Sequence, residues 1–272
     1  MKTWFIAIMA ICTMVVFSMP LQAQDADTPS APELSLEEVL NKHYEALGGL
    51  DKIKGVQSAK MMGIINIPAQ GIEFPFTRSA KRPNKLRMDS PIQGMDIVQA
   101  CDGETAWWIM PPMGAADPQP MPDIQAQSMI ENAYMDGALI DYETKGNTIE
   151  LGGVELVDDK PAYKLNVTLA NGGERTHFID SESFLEVKIT GTVNQMGQDM
   201  EVNTYFEGYQ EIDGMQVWHH MKQEMMGQTS MELTIETLEF NVEMDDALFS
   251  LPANEPDPPA DGGTTDSDST DG

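Results

Sequence analysis

The chain has 272 residues, with 44 Asp and Glu against 16 Lys and Arg, for a formal charge of −28. A surface so negative repels polyanions, which excludes nucleic acid and anionic membrane surfaces as partners. Of its two cysteines, Cys12 lies in the amino-terminal apolar run and Cys101 in the body of the chain, so an intramolecular disulfide is not part of the design.

Residues 1–23 read as an export signal: Lys2 supplies the positive start, and Trp4 to Phe17 form an apolar stretch too short to cross a bilayer. Leu21-Gln22-Ala23 offers a small-residue site for cleavage after Ala23, and Cys12, following Ile11 inside the apolar run, does not suit lipidation. A periplasmic location is expected. Residues 24–32 are a polar, proline-bearing leader, and 33–252 form the folded domain. Residues 253–272, rich in Asp, Pro, Gly, Ser and Thr, cannot bury enough apolar surface to fold and form a solvated acidic tail.

The domain opens with a helix. Ser35 caps it and Glu38 reaches back; Leu36, Val39, Leu40, Tyr44 and Leu47 recur on one face, and Gly48-Gly49 ends it. After Gly55 the period changes to two. Ile72, Phe74 and Phe76 alternate with Glu73, Pro75 and Thr77, and the same pattern returns at Tyr163–Leu169, Leu185–Ile189 and Met231–Ile235. Turn residues separate such runs, predicting about ten or eleven strands of a large antiparallel sheet. Both faces of the Met61–Ile67 strand are apolar, so the sheet needs a cover on each side. Proline-rich sequence at Pro118–Ala138 leads into Met121, Ile124, Met129, Ile130 and Tyr134 at helical spacing, an amphipathic helix inserted between strands. The fold class is therefore mainly β with a few helices (α+β): a large curved antiparallel sheet or unclosed barrel, with the inserted helix either a helical lid over its concave face or part of a fixed hydrophobic core.

Catalytic signals are missing. No His-Glu-x-x-His, Gly-x-Ser-x-Gly, phosphate-binding loop or dinucleotide fingerprint occurs, so a non-enzymatic protein with no cofactor is expected. His219 and His220 are adjacent on a strand and point to opposite sides, which argues against a shared metal. Methionine is abundant, at 21 in the chain. Its thioethers could hold Cu(I), with His219-His220-Met221 and Met225-Met226 the best cluster, or give a pliable apolar lining for variable ligands. Their scatter along the chain favours lining or plain core. Cys101, at the end of Ile97-Val98 and with no basic neighbour in sequence, is expected to be a packed strand-end thiol. Trp107 and Trp108 must point to opposite faces of their strand, one into a core and the other towards whatever covers the second face.

The stretch Lys81-Arg82-Pro83-Asn84, Pro91, Val98, Asp102-Gly103-Glu104-Thr105-Ala106-Trp107-Trp108 and Pro111 resembles the hallmark of the LolA-like outer-membrane lipoprotein-sorting family. Ala46 to Ile53, Phe178-Ile179-Asp180, Tyr209 to Met215 and Phe249-Ser250-Leu251-Pro252 resemble further pieces of it in the same order, so the similarity covers most of 36–252. The resemblance implies a strongly curved open barrel whose apolar concavity accepts acyl chains. It also implies that the arginine before the proline, here Arg82, latches the lid through backbone carbonyls. The expectation is thus an exported carrier, monomeric, for lipoprotein acyl chains or other lipids, with an envelope membrane protein as donor or acceptor. Phe74, Phe76, Trp107, Trp108, Met129 and Ile130 are the candidates for cavity or lid contacts, with the concave face left open between the two alternatives. A copper-handling protein and a structural module of an envelope assembly are the other readings.

Overall fold

The computed structural model describes residues 31–195 and 198–252; the expected export signal, nearly all of the expected leader and the expected acidic tail lie outside the described residues. Helices α1 (Leu36–Ala46) and α2 (Leu50–Gly55) precede six strands joined in sequence: β1 (Ser58–Ile67), β2 (Ile72–Lys81), β3 (Lys85–Ile92), β4 (Met95–Cys101), β5 (Ala106–Met110) and β6 (Ala115–Pro120). Helix α3 (Asp123–Glu131) and a turn-rich segment, 132–146, then lead to β7 (Thr148–Val157), β8 (Lys160–Thr168), β9 (Glu174–Asp180), β10 (Glu186–Gln195) and β11 (Gln198–Glu207). A short pair, β12 (Gln210–Ile212) and β13 (Met215–Val217), precedes β14 (His220–Met225) and β15 (Gln228–Phe240).

Thirteen strands form one antiparallel sheet in the order β6-β5-β4-β3-β2-β1-β15-β14-β11-β10-β9-β8-β7, with β12 and β13 paired separately. The sheet does not close, because β6 and β7 are both free edges. Each edge is blunted: β6 carries Pro118 and Pro120, and β7 has a register shift between Leu151 and Val154 at Gly152-Gly153. The strand count exceeds the expectation because short strands such as β5, β6, β12 and β13 carry too few residues for a legible period.

Alternation assigns every side chain to a face. On β1 and β2, Met61 stands opposite Arg78, Gly63 opposite Phe76 and Ile65 opposite Phe74, so these six share one side. That side is the covered, concave one. Helix α1 packs Val39 and Leu40 onto Tyr163, Leu165, Val167 and Ile179 at the β7–β9 end. Helix α3 sets Met129 and Ile130 against Leu86, Cys101, Ala106 and Trp108 at the β3–β5 end. The α1 start is as expected from sequence: Ser35 Oγ accepts from Glu38 N, and the Glu38 carboxylate accepts from Ser35 N at 2.8 Å. At its other end Gly48 has φ +116 and a Cβ there would lie 2.4 Å from the Gly214 carbonyl oxygen, so only glycine lets the helix turn this close to the β12–β13 pair. Gly63 is required for contact rather than torsion, since a Cβ would stand 1.9 Å from Thr234 O where β1 slips register against β15.

The helix expected over Met121–Tyr134 is shorter and differently anchored. It begins after Pro122, leaving Met121 buried in the short connection from β6, and Ile124 is 82% exposed. Nine residues give only one packed edge, which Met129 and Ile130 occupy.

The opposite, convex face is covered at one end by the carboxy-terminal segment. Trp107 is 2% exposed there and packs with Val98, Ala100 and Ile109. Its Nε1 donates to Phe249 O at 2.8 Å, and Arg87, whose guanidinium lies over the Trp107 ring, donates from Nη1 to Leu248 O at 3.1 Å. Lys81 and Lys85 both pair with Asp246, whose carboxyl is held down at about 2 by hydrogen bonds from these two lysines.

Candidate functional site

Between the two helical covers the concave face is not filled. An apolar hollow of about 620 Å³ remains, floored by β1, β15 and β14 and roofed by the ends of α1 and α2 and by segment 132–146. Its floor is laid by alternation: Met61 and Ile65 on β1 lie beside Leu233 and Leu238 on β15, and Met221 on β14 stands opposite Leu233. Six methionines line it: Met61, Met88, Met135, Met215, Met221 and Met231. Unbranched thioether chains repack at little cost, so such a wall conforms to differently shaped apolar ligands.

The roof is held by polar contacts. Arg82, just after β2, donates from Nε to Val56 O at 2.6 Å and from Nη2 to Ile53 O at 2.9 Å, both at the end of α2. The same guanidinium grips the Asp136 carboxylate with both Nη atoms, Nη2 to Oδ1 at 2.6 Å. One planar fork thus ties the sheet, α2 and the roof segment together, a task that five fixed donors suit and an ammonium does not. The Asp136 hydrogen bond also raises the Arg82 pKa above the ordinary arginine value. Tyr44 of α1 donates to Leu139 O at 2.8 Å, and its pKa is pushed up to about 12, chiefly by burial and then by Tyr142 and Asp141. Lys54 pairs with Asp141 at 2.7 Å, an exposed contact of little energetic weight.

The structure sorts the sequence candidates into three groups. Trp108, Met129 and Ile130 come together, as one cluster beneath α3. Phe74 and Phe76 are on the concave side but are buried with Ile65, Leu233 and Ile235, as the packed floor beside the hollow rather than its surface. Trp107 is on the other face altogether. There its ring fills the space under the carboxy-terminal segment, so it touches neither hollow nor roof. Arg82 is at the junction just described.

Residues that sequence reasoning passed over line the hollow instead. Trp218 is the clearest case. Strict alternation puts it beside Lys222, away from Met221. Residues 218 and 219 fall between β13 and β14, however, and this break lets Trp218 line the hollow beside Met221 with its ring 5.4 Å from that of Phe206. Arg78 was legible by parity, two residues after Phe76 on the same strand. The members of the candidate copper cluster diverge: Met221 lines the hollow, Met226 is exposed at a turn, and His219 and His220 have separate partners in Val217 O and Thr234 Oγ1. Among the described residues no group of three or more His, Cys, Asp or Glu is placed to hold a metal. Cys101 is fully buried, and burial pushes its thiol pKa up, keeping it neutral.

Under the α1 cover His43 is buried with Nδ1 donating to Phe184 O at 2.8 Å, and His177 and Glu186 are close enough to act on it electrostatically. Burial lowers the His43 pKa, opposed in part by Glu186. The unfolded chain therefore binds this proton more readily, and the stability held by neutral His43 is full above the free value of 6.5 and is lost as pH falls below it. Wild type is expected to lose more melting temperature than His43→Gln between about pH 7.5 and pH 5.5. Parallel pH profiles in calorimetry would rule this out.

No protein-family model matches the sequence, and no curated protein matches it. Solved structures do match. A LolA superfamily protein from Nitrosomonas europaea superposes with a TM-score of 0.55 at 15% identity, over 80% of this chain and 98% of that one. A DUF1329 family protein from Desulfovibrio piger gives 0.55 at 14% identity, over 79% and 96%. An outer membrane lipoprotein-sorting protein domain from Vibrio parahaemolyticus gives 0.53 at 13% identity, over 78% and 94%. At such identities the likeness is one of fold, and the fold is LolA-like.

Proposed function

We propose that this chain is an exported, non-enzymatic carrier that shelters the acyl chain of a lipoprotein or lipid between its sheet and its roof. One observation carries the proposal: an unfilled apolar hollow of about 620 Å³, walled by methionines and partly roofed by segments held through hydrogen bonds rather than through a continuous core. Its size is within the range of about 300–1,000 Å³ usual for small-ligand sites. Burial of hydrocarbon supplies the binding energy, at roughly 25 cal/mol per Å² removed from water. The negative surface keeps the loaded protein soluble and off anionic bilayers.

The test is native mass spectrometry of the protein purified from its own cell envelope. A fraction carrying lipid mass, released by organic extraction, is the expected result. Protein that arrives bare, and that takes up no long-chain amphiphile when offered one, would end the carrier reading.

A further inference from the structure

The hollow contains a charge that nothing in the protein answers. Arg78 projects from the middle of β2 onto the concave face, opposite Met61 on β1 and Met88 on β3, and lines the cavity with them. Among the described residues no hydrogen bond or ion pair ends on its guanidinium, and the titratable group that acts on it is the Cys101 thiol, itself kept neutral by burial. In a chain with 44 carboxylates and 16 basic residues, an arginine without an acidic partner is conspicuous. The carboxylate that does line the hollow, Asp136, is held by both Nη atoms of Arg82. Desolvation lowers the Arg78 pKa, so the surroundings disfavour its charge. Arg78 is half-buried in a largely apolar, partly open hollow, where a cation without a partner costs stability and where a ligand from outside can reach it.

We infer that Arg78 is the counter-ion for an oxyanion headgroup taken inside the hollow, so that the ligand class is an amphiphile with a hydrocarbon tail and a carboxylate or phosphate monoester head. The inference rests on the carrier reading and narrows it. The tail lies along the methionine wall and the head meets the guanidinium, which offers the two parallel donors that either oxyanion accepts. A neutral acyl ester uses the same wall and leaves the arginine unanswered. The negative outer surface does not oppose this, since the paired charge is within the fold and away from bulk carboxylates.

Equilibrium binding of hexadecanoate, palmitoyl lysophosphatidate and hexadecanol to the full chain, each below its micellar concentration and followed by tryptophan fluorescence, tests it. Wild type is expected to bind at least one of the two anions about tenfold or more tighter than the alcohol, the usual worth of a charge-assisted pair out of water. In Arg78→Met that preference falls to within about twofold while hexadecanol binding is kept, and Arg78→Lys, which keeps the charge but not the paired donors, retains only part of it. Arg78→Met should fold at least as stably as wild type, because it removes an unpaired charge. The tighter of the two anions identifies the head as carboxylate or phosphate, and either result supports the assignment. Equal affinity for anions and alcohol in wild type, or a preference that survives in Arg78→Met, overturns it and leaves the carrier reading standing. Failure of all three probes to bind wild type removes the carrier reading and this inference with it.

Discussion

Arg82→Leu is expected to lower stability by about 3 kcal/mol, or roughly 6–12 °C in melting temperature for a domain of this size. The variant leaves Asp136, with its side chain only 9% exposed, as a partly buried carboxylate without its partner, and frees the carbonyls of Ile53 and Val56. Losing one member of such a pair costs more than losing both, so Arg82→Leu combined with Asp136→Leu should recover part of the deficit. Function should change in a direction that a purely structural role does not predict. If the fork holds the roof down in the empty state and opens on loading, its removal lowers the energy needed to load. Loaded protein then accumulates, and cargo leaves more slowly. Release rates equal to wild type, measured by transfer of a fluorescent fatty acid to vesicles, would count against a latch even if the stability loss were found.

Trp107→Ala is expected to cost about 3–5 kcal/mol while leaving amphiphile binding intact. The ring is buried against Val98, Ala100 and Ile109, and its N–H is the donor that fixes Phe249 O. Truncation opens a cavity on the convex face and also releases the carboxy-terminal segment, whose Phe249 is fully buried. Trp107→Phe should keep most of the packing and lose chiefly the hydrogen bond, about 1 kcal/mol. Urea denaturation gives the stability and a binding titration gives the function. A large loss of affinity in a still-folded Trp107→Ala would contradict the assignment of this tryptophan to the convex core. The two variants separate the faces of one sheet: Arg82 acts at the roof, Trp107 beneath the terminal segment.

Much of this arrangement was legible because backbone geometry transmits it locally. The capping box at Ser35 and Glu38 needs only three residues of separation, and the Asp102-Gly103 turn between β4 and β5 is closed by Asp102 Oδ1 accepting from the amides of Glu104 and Thr105. Alternation required Phe74 and Phe76 to share a face and Trp107 and Trp108 to part, and they do so. Apolar residues on both faces of the Met61–Ile67 stretch predicted two covers, and only one is found there. Segment 132–146 roofs the concave side, whereas the carboxy-terminal segment covers the convex face around Trp107, and Met62 and Ile64 stay half-buried.

Which face became the hollow was decided by tertiary structure alone. Period two says that side chains part, and it is symmetric between the sides. The choice is made by α1, α3 and segment 132–146 landing on one side while residues near Phe249, more than a hundred positions from β5, land on the other. The same long-range packing explains why Phe76 became floor while Met61 became surface, and why a break at residues 218 and 219 brings Trp218 inward. A strand's own residues set the spacing of its side chains, but an unfilled volume exists only where elements from distant parts of the chain fail to meet.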